Sequence, residues 1–135
     1  MKALTLWQPW ASLVALGHKK VETRCWATRY RGPLAIHSAL RRPDFLGQSC
    51  STPEFRELMR KLKIDMRTLP LGCVLCTVKL VAIAPTGQVY DDLSYQERVF
   101  GNYEEGRYAW FFENIEPCPA PIQVKGNRLL WEWKQ

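Results

Sequence analysis

The stretch Ala3-Leu4-Thr5-Leu6-Trp7-Gln8-Pro9-Trp10-Ala11-Ser12-Leu13-Val14-Ala15-Leu16-Gly17 decides how the chain begins to fold. Ala3 to Trp7 alternates with the period of a half-buried strand, and Gln8-Pro9 turns the chain. Pro9 then suits the first position of a short helix, because its missing N–H is unpaired there in any helix. Gly17 stands where a left-handed residue ends such a helix. A strand that passes through one short capped helix and emerges extended opens a mixed α+β fold.

Immediately beyond lies Gly17-His18-Lys19-Lys20-Val21-Glu22-Thr23-Arg24, which gathers charge of both signs at one turn. The glycine cap sends Lys19 out in a fixed direction. With Val21 to Arg24 extended, Glu22 and Arg24 project from the same face of a strand, so Lys19, Glu22 and Arg24 converge. From these eight residues alone, the trio is either a built site or an exposed, weak ion pair beside a solvated lysine.

Working outward, Leu34 to Ser38 forms another strand after a loop holding Arg29, Arg31, Gly32 and Pro33, with Arg41 and Arg42 beyond it. Ser51-Thr52-Pro53-Glu54 matches a capping box, and Phe55, Leu58, Met59 and Leu62 follow at helical spacing. That stripe belongs in the core, and Arg56, Arg60, Lys61 and Lys63 on the other face are solvated. Leu71 to Ala84 predicts one long central strand with Val74, Cys76, Val78, Leu80 and Ala82 on one face. A short helix is expected around Ser94 to Phe100 and a strand over Tyr108 to Ile115. Pro117, Pro119 and Pro121 predict an extended linker. The tail Arg128 to Trp133 alternates again and closes the sheet. Five or six short strands with two or three helices, and no repeated β-α-β rhythm, predict a small mixed barrel flanked by helices in a single domain over residues 1–135.

At 135 residues the chain can bury one core without disulfides or a metal. Nineteen Lys and Arg against thirteen acids give a formal charge of +6, which favours a polyanionic partner, nucleic acid or a nucleotide. Cys25, Cys50, Cys73, Cys76 and Cys118 form an odd set without an apparent signal peptide, so reduced thiols and a cytoplasmic protein are expected. No apolar run approaches the length that crosses a bilayer. Cys73 and Cys76 sit within an apolar, strand-like run and, three residues apart, are expected to face opposite sides. With no second pair, no structural metal and no cofactor are expected.

Leu4-Thr5-Leu6-Trp7-Gln8-Pro9-Trp10-Ala11-Ser12-Leu13, followed by Gly17-x-Lys19-x-x-Glu22-x-Arg24, resembles the ASCH domain family of the PUA-like superfamily, and Pro121-Ile122-x-Val124-Lys125-Gly126-Asn127 extends the likeness. The resemblance implies a PUA-like barrel with a cleft walled by Lys19, Glu22 and Arg24, and RNA or DNA, single-stranded or with an extruded base, as its guest. Lys19 and Arg24 would hold phosphate, one as a point charge and one as a fork. Trp7, Trp10 or Trp110 would offer a stacking face, while Trp131 and Trp133 belong to the core. The candidate ligand set is completed by Gln8, Ser38, Arg107, Tyr108, Lys125 and Gly126.

Some members that the chain resembles are hydrolases of N4-acylated cytidine, and others are linked to RNA cleavage. In an enzyme reading, Lys19, Glu22 and Arg24 would carry catalysis, with His37 as a proton carrier. Glu22, however, stands where the amidohydrolases carry a threonine, and a carboxylate does not replace a hydroxyl nucleophile. A Glu22 paired with Lys19 would also keep that lysine protonated. Binding is therefore the preferred reading, hydrolysis the second, and a protein-interaction adaptor the third.

Overall fold

The structure is a computed structural model that describes residues 1–42 and 52–135. Cys50, and Ser51 of the expected capping box, lie outside the described residues.

The chain forms strand β1 (Lys2–Leu6), helix α1 (Trp10–Ala15), strands β2 (Val21–Arg24) and β3 (Gly32–Ser38), and helix α2 (Pro53–Lys61). Strand β4 (Cys73–Pro85), helices α3 (Thr86–Val89) and α4 (Tyr95–Phe100), and strands β5 (Tyr108–Gln123) and β6 (Leu130–Glu132) follow. One six-stranded sheet runs β2-β5-β4-β3-β1-β6 and curls into a half-barrel. β1 and β3 pair in parallel, and the other pairs are antiparallel. Among the described residues there are four short α-helices, one more than the upper expectation, because Thr86–Val89 adds a single turn that no periodicity announces. None of the described helices is long and apolar enough to cross a membrane.

Alternation along the strands sorts the core onto the two faces of the sheet. Leu4, Leu6, Leu34, Ile36, Leu80 and Trp110 fill one cluster, while Ala3, Ala35, Val74, Trp131 and Trp133 form another. A third cluster joins α1, α2 and the end of α4 through Leu13, Phe55, Met59 and Phe100.

α1 ends as the sequence predicts. Gly17 has φ of +82°, its N–H donates to Val14 O, and the His18 N–H donates to Leu13 O, the paired bonds of a Schellman cap. Pro9 sits one place earlier than expected, at the N-cap rather than in the first turn. At α2 the cap is Thr52, whose side chain accepts from the Phe55 N–H at 3.2 Å.

Two expectations about the long strands are corrected. Against β3, Val74 and Cys76 of β4 face the adjacent His37 and Ile36, and against β5, Leu80 and Ala82 face the adjacent Phe112 and Phe111, so β4 carries an extra residue at each place and its strict alternation breaks. Each such bulge inserts a residue and swaps the face that follows. Cys73 and Cys76 therefore join the same cluster instead of facing apart, Val74 joins a different one, and Ala82 is exposed. Cys25, Cys73, Cys76 and Cys118 are all free thiols, and burial pushes the Cys76 thiol up to about 12. Pro117, Pro119 and Pro121 do not form a linker but lie within β5, with Pro117 opposite Cys76 and Ile122 opposite Val74. They are tolerated because β2 covers only residues 108–111 of β5, so the rest of that side is an open edge where no ladder N–H is needed.

Candidate functional site

The site grows from the Schellman cap. It turns the chain so that the Lys19 side chain runs inward, where it is fully buried and its Nζ donates to Val21 O. Lys19 Nζ lies 3.8 Å from Glu22 Oε1, and Arg24 Nη1 lies 3.3 Å from Glu22 Oε2. The two carboxylate oxygens thus each face one cation, an arrangement made possible by the same-face spacing of residues 22 and 24 on β2. Helix α4 locks the turn from outside: Gln96 Nε2 donates to His18 O at 2.7 Å, and Glu97 Oε2 accepts from the Lys20 N–H at 2.6 Å.

Burial holds the Lys19 ammonium below its ordinary range, against the upward pull of Glu22 and then of Glu97. The expected effect of Glu22, to keep Lys19 protonated, is present but outweighed, since desolvation is the larger influence. Lys19 is also too enclosed to touch phosphate. Its reach is to Glu22, whose position it determines.

Glu22 and Arg24 open onto a cavity of about 190 Å³ whose mouth is framed by Trp7 and Trp10 and whose far wall is Thr23, Phe100, Asn102 and Arg107. Trp7 is 48% exposed. Trp10 is half-buried, held by its Nε1 donating to Phe100 O at 2.7 Å. The far wall is tied together at backbone level. The Asn102 N–H donates to Thr23 Oγ1 at 3.0 Å, Arg107 Nη2 donates to Thr23 O at 3.1 Å, and Arg107 Nε donates to Asn102 O at 3.2 Å. Arg24 also lies 5.9 Å over the Trp26 ring, and its Nη1 is 3.5 Å from Thr5 O, a contact across the curl between β2 and β1.

The remaining predicted residues lie elsewhere. Trp110 is fully buried, edge-on to Trp26 with its Nε1 donating to Trp26 O at 3.1 Å, so it presents no stacking face. Gln8 is buried and bonded to Ser12 Oγ at 2.7 Å and Pro70 O at 2.8 Å. Ser38 is buried and accepts from the Cys73 N–H at 3.1 Å. Tyr108 pairs with Arg24 across β2 and β5 and packs against the core. His37, Lys125 and Gly126 line a different cavity of about 800 Å³, so His37 is not brought to Lys19 and Glu22. His37 Nε2 donates to Val124 O at 2.8 Å, which leaves Nδ1 to accept from the Thr5 hydroxyl at 3.0 Å in the neutral ring.

Thr23, Phe100 and Asn102 were missed, as was the bracing by Gln96 and Glu97. The last two occupy the expected helix near Ser94, but nothing in their spacing points to residue 19. Among the described residues no cluster of His, Cys, Asp and Glu is able to hold a metal.

Compared with known proteins, residues 4–120 match the family model of the ASCH domain. The chain is 29% identical over 132 residues to activating signal cointegrator 1 of Mus musculus and 28% identical over 132 residues to that of Homo sapiens. Each alignment covers 96% of this chain and 22% of the relative, so the chain spans about a fifth of the length of those proteins. Among solved structures, ASCH from Zymomonas mobilis superposes with a TM-score of 0.61 at 16% identity, covering 99% of this chain and 87% of that one. A point mutant of the same protein gives 0.59 at 16% identity, with 99% and 90% covered. At that identity the likeness is one of fold.

Proposed function

The chain belongs to the ASCH domain family, whose members are generally RNA-binding, and from that premise we propose that it binds single-stranded RNA by admitting one base to the cavity beside Trp7, Glu22 and Arg24. The observation that carries this reading is the pairing of an exposed indole face with a guanidinium and a carboxylate around one small space. About 190 Å³ lies below the roughly 300–1,000 Å³ of pockets that engulf a drug-sized ligand, and suits a single flat ring system. Trp7 supplies the stacking surface, Arg24 the fork for the adjoining phosphate, and Glu22 an acceptor for N–H groups on a base edge. Lys19 is a positioning residue: it holds Glu22 from behind.

The hydrolase reading is less well supported. Depression of its pKa makes the free amine of Lys19 more available as a base, yet full enclosure keeps Nζ off the cavity wall. The +6 charge of the chain supports a polyanion over a free uncharged nucleoside.

Labelled single-stranded and duplex RNA and DNA, titrated at two salt concentrations and checked for intactness on a denaturing gel, test the proposal. Trp7→Ala is expected to weaken binding of single-stranded RNA by about 1–3 kcal/mol. Arg24→Ala is expected to weaken it and lower the slope of log K against log salt by about 0.7, one phosphate contact. Wild-type affinity retained in both variants, or RNA consumed during the titration, would sink the binding assignment.

A further inference from the structure

The cavity of about 800 Å³ that holds His37 has no part in the site above. It is walled by Leu40 and Val124 and bordered by Thr5, Lys125, Gly126 and Arg128. Its walls are mostly apolar, and its volume falls within the roughly 300–1,000 Å³ range of binding clefts. Its rim is cationic. Lys125 and Arg128 are both exposed, and among the described residues neither has an acidic partner. An apolar hollow with unpaired cations on its edge complements a ligand that is itself flat or apolar with an anionic flank.

Gly126 makes this hollow possible. A Cβ there would come within 2.6 Å of His37 Cε1, 2.7 Å of His37 Nδ1 and 2.8 Å of Thr5 Oγ1, so only glycine lets the loop lie this close to the sheet. Thr5 also links the two cavities. Its carbonyl is the atom 3.5 Å from Arg24 Nη1 on the wall of the small cavity, and Thr5 itself lines the large one, where its hydroxyl meets His37.

We propose that the large cavity is a second subsite for the same strand, in which Lys125 and Arg128 take phosphodiester oxygens and the Leu40–Val124 hollow receives the sugar and base of a nucleotide further along the strand, beyond the reach of a trinucleotide seated at Arg24. This assignment rests on the proposed reading of the small cavity as the seat of a base. A strand held at Arg24 then continues past Thr5 to the Lys125 rim, and affinity grows with strand length.

The test compares a fluorescein-labelled RNA trinucleotide with a decanucleotide of mixed sequence, each titrated against the wild type, a Lys125→Ala/Arg128→Ala double variant and Arg24→Ala over a range of salt. The wild type is expected to bind the decanucleotide more tightly. The double variant is expected to lose that advantage, with its decanucleotide salt slope reduced by about 1.4, two single-strand phosphate contacts, and its trinucleotide affinity unchanged. Unchanged decanucleotide binding in the double variant, or equal loss for both lengths, overturns the second subsite while an Arg24→Ala defect leaves the base cavity standing. No effect of Arg24→Ala on either probe, or no binding by the wild type, overturns the base cavity and the subsite with it. Both substituted side chains are exposed, and thermal melts of the double variant should match the wild type.

Discussion

Glu22→Ala is expected to cost about 3–5 kcal/mol of folding free energy at neutral pH, because it takes the paired carboxylate from the fully buried Lys19 ammonium and leaves it a carbonyl and the weaker pull of Glu97. Physical chemistry also sets a ceiling. Lys19 escapes the penalty by releasing its proton, which from its ordinary value of 10.5 costs about 5 kcal/mol at pH 7 and about 2 kcal/mol at pH 9. The loss in Glu22→Ala should therefore shrink as pH rises, measured by urea unfolding at both values. Replacing the pair together, as Lys19→Met with Glu22→Leu, should cost far less, since neither desolvated charge remains. The wild type carries the same sign. With the folded pKa below that of the unfolded chain, the unfolded chain holds more protons between the two, so stability rises with pH across that window and is lost as pH falls through the folded value. Lys19→Met should abolish that rise. A loss in Glu22→Ala under about 1 kcal/mol, or one indifferent to pH, would contradict the buried pair.

Trp110→Ala should cost a further large amount, about 3–5 kcal/mol, as expected for truncating a fully buried indole. The T-shaped contact with Trp26, at 4.8 Å between centroids, and the bond to Trp26 O disappear with it. Trp7→Ala should show the opposite pattern, with stability changed by no more than about 0.5 kcal/mol and binding impaired. Urea unfolding and RNA titration of both variants separate the roles. A stable Trp110→Ala with lost RNA affinity would reverse the assignment, because only a residue reached by the ligand behaves so.

These two tryptophans show where reading a chain from its residues succeeds and where it stops. The strand, helix, glycine cap and strand from Ala3 to Arg24 were legible because each depends on neighbours along the chain: alternation, proline, a positive-φ glycine, then two residues on one strand face. The convergence of Lys19, Glu22 and Arg24 followed from the same local rules. Burial did not. Trp7 and Trp110 both sit at strand ends or within strands, and which one faces solvent depends on how far the sheet curls. The same curl sends His37 to one cavity and Glu22 to another. The far wall at Asn102 lies in an irregular loop, and its hydrogen bonds to Thr23 and Arg107 join residues far apart in the chain. The β4 bulges illustrate the cost of assuming unbroken period-two alternation, since one inserted residue moved Val74 and Cys76 into different clusters.

The prolines of β5 carry a consequence for life in solution at high concentration. An uncovered strand side offers a row of amide donors to which another copy's strand can add, the usual start of aggregation. Pro117, Pro119 and Pro121 stand at every second residue from 117 to 121, within the length of β5 that β2 leaves uncovered, and none of them has an amide hydrogen to offer. The exposed flank is therefore a poor template, and the protein can keep most of one side of its longest strand bare without inviting copies of itself to stack there.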